Sequence, residues 1–289
     1  MNSNSLLSHR KEEPEKGILY IVGTPIGNLN DLSIRAVNIL KNVSRVACED
    51  TRQTKKLMSK FKISNNLISF NEHNSQKKIP LIINDLKEGK SVALVSDAGM
   101  PGICDPGENL IKNTRLNELD VVCIPGPSAV IAALVSSGME SSRFIFEGFL
   151  PKKKNEREKI LEEISTNEKT TVLFEAPHRL PKLLEELKIH CGGAREIQIF
   201  RELTKKYEEH IGNNINEAIQ FFNERKVIGE FTLVIKGTNI QKSKNKKFDN
   251  KRIKKELTEL IDAGLSLSAA SRYLAKKEKL SKRLIYNLY

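Results

Sequence analysis

Ser91-Val92-Ala93-Leu94-Val95-Ser96-Asp97-Ala98-Gly99-Met100-Pro101-Gly102-Ile103-Cys104-Asp105-Pro106-Gly107 passes from a short apolar run into a loop crowded with glycine, proline and acid. The run has the length and β-branching of a strand. Two other runs end alike. Gly17-Ile18-Leu19-Tyr20-Ile21-Val22 opens into Gly23-Thr24-Pro25-Ile26-Gly27-Asn28-Leu29, and Val121-Val122-Cys123-Ile124 opens into Pro125-Gly126-Pro127-Ser128-Ala129. Parallel α/β sheets bind ligands beyond the carboxyl ends of their strands. Glycine lets backbone approach a ligand closely, and proline fixes a loop's shape without adding a donor. Three such loops on one edge predict a pocket lined by main chain. Simple punctuation of strand ends is the plainer reading of any one loop, but the middle loop holds more turn residues than a strand-to-helix link requires. The third glycine of a dinucleotide fingerprint is missing, and no Gly-Lys-Ser/Thr follows a strand. The expected ligand is therefore small and held without a conventional phosphate cradle.

Around this loop, short apolar runs alternate with amphipathic stretches, which predicts βα units and a parallel sheet. Strands are expected at 18–22, 44–48, 67–70, 91–95 and 120–124. The first helix carries Leu32, Ala36, Val37 and Leu40 behind Asp31 as N-cap; others are expected at 51–60, 76–88 (closed by Gly89), 107–116 and 128–137. A second α/β unit begins near Phe144, with strands at 144–149, 170–174, 195–200 and 230–236 and helices at 154–166, 178–188 and 215–225. The fold class is α/β in two domains, 17–140 and 141–238, after a disordered polar tail at 1–16. A basic linker follows at 239–251, then a small helical module at 252–289. In that module Leu257, Leu260 and Ile261 share one face, Gly264 breaks the helix, and Leu267, Ala270, Tyr273 and Leu274 begin another. Helix, glycine turn, helix and a basic helix resemble a helix-turn-helix unit; packing against the main body would give the same pattern.

The chain of 289 residues is 39% hydrophobic, and no apolar stretch approaches a membrane span. Its start lacks the apolar core of a signal peptide, so a cytoplasmic location is expected. Cys48, Cys104, Cys123 and Cys191 lie far apart, and buried free thiols explain them better than disulfides or zinc. The histidines form no paired ligand spacing, and no bound metal is expected. The net charge of +12 is concentrated at one end: Gln241 to Tyr289 holds 14 Lys/Arg against 5 Asp/Glu, a net +9. That concentration points to a polyanion such as nucleic acid, or to a solvated basic tail. Aromatic residues make up only 6% of the chain, so no stacking platform is evident.

Candidate chemistry lies beyond the strand ends. Glu49-Asp50-Thr51-Arg52 places an acidic pair where it can accept a proton, with Arg52 free to hold a phosphate; helix capping by Asp50 or Thr51 is the alternative. His73 lies in a polar loop beyond the third strand, within reach of a substrate or simply solvated. In Phe174-Glu175-Ala176-Pro177-His178-Arg179, Glu175 and Ala176 are candidates to line a cleft and Arg179 to meet a polyanion. Capping and packing explain Pro177 and His178 equally well. Arg201, Lys205 and Lys206 are further candidate phosphate contacts in a loop of mixed charge.

Taken in order, GTPIGNL (23–29), CEDTRQT (48–54), SDAGMPGICDPG (96–107), PGPSA (125–129), FEGFLP (146–151), FEAPHR (174–179), RELTKKYEE (201–209) and GEFTLVIKG (229–237) resemble the tetrapyrrole methylase superfamily of S-adenosylmethionine-dependent methyltransferases. They are most similar to its bacterial 16S ribosomal RNA cytidine 2′-O-methyltransferase branch. Met100 stands where Thr is usual and Cys104 where Ser or Asn is usual. The resemblance implies a two-domain tetrapyrrole methylase-like fold with S-adenosylmethionine in the cleft. It implies cofactor contacts from Thr24, Pro25, Asp97, Ala98, Gly99, Ile103, Ser128, Ala129, Glu175, Ala176 and Leu203. It further implies a homodimer acting on the ribose of a decoding-centre cytidine in the small ribosomal subunit, without a metal. Glu49, Asp50 and His73 are the candidate proton acceptors. A tetrapyrrole C-methyltransferase is the nearest rival, but a small macrocycle needs no appended basic module. A nucleic-acid-binding regulator that only senses a ligand is the rival from another class.

Overall fold

β1 (Leu19–Val22) is buried along its whole length, because parallel strands run on both sides of it. The computed structural model describes residues 13–238, 250–278 and 282–289. They fall into two compact units divided after Thr238. The polar tail lies largely, and the linker almost wholly, outside the described residues.

In the first unit β1 is followed by α1 (Ile34–Asn42), β2 (Arg45–Cys48), α2 (Thr51–Lys60), β3 (Leu67–Ser69) and α3 (Ser75–Lys87). β4 (Val92–Val95), α4 (Glu108–Leu116), β5 (Val121–Ile124) and α5 (Ala129–Ser136) come next. The five strands form one all-parallel sheet in the order β3-β2-β4-β1-β5. Strand alternation sends Tyr20 and Val22 to one face, with Ala36, Ile39 and Leu40 of α1 and Met58 of α2. Leu19 and Ile21 go to the other, with Ile79, Ile82 and Leu86 of α3 and Leu110 of α4. Burial on both faces explains why these strands read as continuous apolar runs.

A second sheet is built from β6 (Phe144–Phe149), β7 (Thr170–Glu175), β8 (Glu196–Arg201), β9 (Glu209–Asn214) and β10 (Phe231–Ile235), in the order β6-β7-β10-β8-β9. Only β6 and β7 pair in parallel; the remaining pairs are antiparallel. α6 (Lys154–Thr166), α7 (Leu180–Cys191) and α8 (Ile215–Asn223) cover one face. Leu161, Leu183, Leu184, Leu187, Ile215 and Phe222 pack there against Leu173, Ile197, Ile199, Leu233 and Ile235. The opposite face meets α5: Val130, Ala133 and Leu134 pack with Val172, Phe200 and Val234. The helix that leaves the first sheet is thus core to the second.

Several local expectations are corrected. Ser33, not Asp31, caps α1, because Leu29–Asp31 forms a separate 3₁₀ turn. Glu88 is the C-cap of α3, and Gly89 follows it with φ +81°. β9 lies partly in what reads as a charged loop. The four cysteines are free, but only Cys48 is buried; Cys104 and Cys123 are exposed and Cys191 is intermediate.

The second unit is three helices, α9 (Asn250–Asp262), α10 (Leu267–Glu278) and α11 (Lys282–Tyr286). Ile253, Leu257, Ala270, Leu274 and Ile285 form its small core. Gly264, at φ +99°, turns the chain after α9. Tyr273 is exposed, contrary to its expected place on the apolar face. Arg252–Glu278 at 2.9 Å and Lys277–Glu256 pair α9 with α10.

Candidate active site

The loops after β1, β4 and β5 converge. Thr24 N donates to the Gly99 carbonyl at 2.9 Å, and Gly99 N returns the bond to the Thr24 carbonyl at 3.1 Å. The buried Thr24 hydroxyl also lies 3.2 Å from the Ser96 carbonyl. A Cβ on Gly23 would stand 2.6 Å from Gly126 Cα, so two glycines let the first and third loops touch. Gly27 closes against the loop beyond β8 in the same way: an added Cβ would meet Lys205 Cγ at 2.5 Å and Thr204 Oγ1 at 2.6 Å. Asn28 N donates to that Thr204 hydroxyl at 3.0 Å, tying the two sheets together at this edge.

A cavity of about 340 Å³ opens between these loops and the second sheet. Ala98, Gly99, Ile103, Ser128, Ala129, Glu175 and Ala176, all among the cofactor contacts that the resemblance implies, line it. Ile26, Val130, Phe149, Phe174 and Phe231 add apolar walls, and Asp105 and Glu230 add carboxylates. Such a mixture of apolar wall and few polar groups is typical of a small-molecule site. Glu175 is almost wholly buried. Its Oε1 accepts from Ala176 N at 2.9 Å and forms an ion pair with Arg179 Nε at 3.0 Å, while Arg157 lies 3.7 Å from Oε2. Oε2 has no hydrogen-bond partner, which leaves one buried acceptor available to a ligand donor.

The acids near this edge differ in character. Arg52 holds the Asp50 carboxyl down at about 2 through side-chain and backbone hydrogen bonds. Partial desolvation raises Glu49, helped by the charges of Asp97 and Asp50, and also raises Asp97, which is open to solvent, helped by the charge of Asp50. Burial, reinforced by the negative charges of Glu49 and Asp97, pushes Asp105 up to about 6.

Other expected site residues fall outside the cavity lining. Thr24 splints two loops, and Pro25 is buried beside it. Asp97 is exposed and its Oδ1 accepts from Asp50 N at 3.1 Å. Leu203 packs with Phe200 and the inner face of α5. Asp50 caps α2, accepting from Arg52 N at 2.8 Å, so the capping reading describes its contact. His73 is exposed in the turn before α3. Four of the five expected phosphate contacts already hold partners. Arg52 pairs with Asp50 at 2.7 Å, Arg179 with Glu175, Arg201 with Glu209 at 2.7 Å, and Lys205 with Glu202 and Glu230, both at 2.9 Å. Lys206 is exposed, 5.4 Å from the Tyr207 ring centroid. Sequence reasoning missed Asp105, Phe149, Phe231 and Glu230, although each lies in a quoted motif. Among the described residues no group of three or more His, Cys, Asp or Glu is placed to hold a metal ion.

Residues 18–219 match the family of Tetrapyrrole (Corrin/Porphyrin) Methylases. Solved structures agree on the fold. Cobalt precorrin-4 methyltransferase, a cobalamin biosynthetic enzyme, superimposes with a TM-score of 0.57 over 76% of this chain and 95% of its own, at 16% identity. Uroporphyrin-III-C-methyltransferase from Thermus thermophilus gives 0.55 over 76% and 94%, also at 16% identity. Much nearer in sequence are proteins named ribosomal RNA small subunit methyltransferase I. The one from Synechocystis is 43% identical, over 94% of this chain and 97% of its own. That from Bacillus subtilis is 41% identical over 95% and 94%. The Thermotoga maritima protein is 47% identical over 76% of this chain and 99% of its own. The chain belongs to the tetrapyrrole methylase family, in its ribosomal RNA small subunit methyltransferase I branch.

Proposed function

We propose that this protein transfers the methyl group of S-adenosylmethionine to the 2′-oxygen of a cytidine ribose in the decoding centre of 16S ribosomal RNA. The observation that carries the reading is the 37–47% identity to ribosomal RNA small subunit methyltransferase I proteins. The cavity fits the cofactor's chemistry. Phe149, Phe174 and Phe231 offer apolar surface to an adenine, the glycine loops admit close backbone contact, and Glu175 and Glu230 suit a cationic sulfonium and amine. The cofactor supplies an electrophilic methyl group, for which no metal is required. Holding donor and acceptor in line would supply much of the acceleration.

The α9–α11 unit and the basic segment before it would dock the ribosomal RNA through charge. A homodimer is part of the proposal. Ile131 and Val135, one turn apart on α5, are exposed while the other side of that helix is core, which leaves an apolar strip for a second copy. A cytoplasmic location follows from the substrate; no helix among the described residues is long and apolar enough to cross a membrane.

The test uses small subunits from a strain lacking the modification, incubated with labelled S-adenosylmethionine and digested to nucleosides. Labelled 2′-O-methylcytidine supports the reading. Label only in an added tetrapyrrole, or cofactor binding with no transfer, refutes it.

A further inference from the structure

We propose that Asp105 accepts the proton of the acceptor hydroxyl as the methyl group is transferred, an inference that rests on the ribose-methylation reading above. Three carboxylates line the cavity: Asp105, Glu175 and Glu230. Two are committed to cations, Glu175 to Arg179 at 3.0 Å and Glu230 to Lys205 at 2.9 Å. Asp105 has no ion pair with a cation among the described residues. Its carboxyl is shaped first by burial and then by a hydrogen bond from the Ser96 side chain, which favours the charged form; the negative charges of Glu49, from the loop after β2, and Asp97, from its own loop, act against that form, and the Cys104 thiol lies alongside.

A carboxylate paired with a guanidinium or ammonium gives up attraction when it takes a proton. One that is buried without a cation is relieved of desolvation, and of any repulsion from nearby carboxylates, when it takes a proton. Asp105 is thus the cavity acid for which protonation is favourable. The carboxyl titrates at about 6, so it is ionised at neutral pH and basic enough to compete for a departing proton. Asp50, held at about 2 by Arg52, is a much weaker base and lies outside the lining. Asp105 also shares its loop with Ala98, Gly99 and Ile103, so the proton acceptor and the cofactor contacts belong to one segment.

The step balances. The ribose oxygen forms its bond to the methyl carbon, the carbon–sulfur bond breaks with its electron pair passing to sulfur, and the hydroxyl proton moves to an Asp105 carboxylate oxygen. Sulfonium and carboxylate become neutral thioether and neutral acid.

The test compares the full-length protein with Asp105→Asn and Asp105→Glu. Carboxyl ¹³C NMR of the cofactor-free protein reads the titration directly. Calorimetry reads cofactor binding, and single-turnover transfer to unmodified small subunits is followed from pH 5 to 9. A resonance titrating near 6 and absent from D105N is expected. D105N should lose at least about 10²-fold in transfer and lose the acid limb of the profile, with cofactor affinity within about threefold of wild type; D105E should recover part of the rate. The assignment is overturned if D105N transfers within about threefold of wild type, if its loss lies wholly in cofactor affinity, or if the resonance titrates near 4. A wild-type protein that places no methyl on ribose overturns the functional reading as well. An active wild type with an unimpaired D105N overturns this assignment alone.

Discussion

Gly126→Ala tests whether the cavity depends on the touching of two loops. Gly126 does not occupy the left-handed region, so the backbone accepts alanine and only space is at issue. The new Cβ would lie 2.7 Å from both Cα and C of Gly23, where ordinary contact begins at 3.4 Å. The two loops must then part by about 0.7 Å, the difference between those distances. Gly23 is poorly placed to yield. Its N–H is bonded to the Ile124 carbonyl at 3.1 Å, and the next residue is doubly bonded to Gly99. Overpacking of this kind costs about 1–3 kcal/mol. For a domain of this size that lowers Tm by about 5 °C. Because the same loops line the cavity, misplacement approaching 1 Å should reduce transfer by about 10- to 100-fold. Thermal melts, calorimetric titration with S-adenosylmethionine and single-turnover transfer read the three quantities. A G126A protein with wild-type Tm and wild-type cofactor affinity would refute the convergence.

The raised Asp105 carboxyl keeps its proton in the folded state between about pH 4 and 6, where the unfolded chain has released it, so its contribution to stability falls as pH rises through that window. Asp105→Asn should therefore melt higher than wild type at pH 7, with the gap closing toward pH 4; melts across that range decide it. Arg157→Met removes a buried guanidinium bonded to Glu186 at 2.6 Å and lying 3.7 Å from Glu175. A loss of about 3 kcal/mol in urea unfolding is expected, and an unchanged midpoint would mean that the buried pair contributes nothing net. Deleting residues 239–289 should weaken binding to small subunits and flatten its salt dependence, while calorimetry finds cofactor affinity unchanged. Equal losses in both would count against a docking role.

Where hydrophobic period decided structure, the sequence was readable. Every strand of the first sheet falls within two residues of its expected span, because short apolar runs, wholly buried in β1 and β4, leave little ambiguity. β9 was not readable. Glu209-His210-Ile211-Gly212-Asn213-Asn214 has one buried apolar residue, and it is a strand because β8 offers an antiparallel edge. The antiparallel pairing of the second sheet was hidden for the same reason: period reports faces, not partners. The cavity was half legible. Its glycine and proline loops announce themselves locally, whereas Phe149, Phe174 and Phe231 become walls only through the placement of the second sheet. Asp105 was hidden more deeply, since its raised carboxyl depends first on burial and then on the charges of Glu49, from another loop, and Asp97, and spacing along one chain does not report burial in a cavity. Of its neighbours, Glu49 is legible from its place at a strand end and Asp97 only through the family motif.

The packing of α5 on the second sheet has a mechanical consequence. Val130, Ala133 and Leu134 anchor in the far layer, while Ser128 and Ala129, at the same helix's amino end, line the cavity. Cutting the polypeptide near residue 140 would strip that anchor and expose its apolar side, so neither half is a self-sufficient fragment. One helix thus carries both part of the cavity rim and part of the second sheet's core, so a substitution on either stretch of it bears on the other's setting.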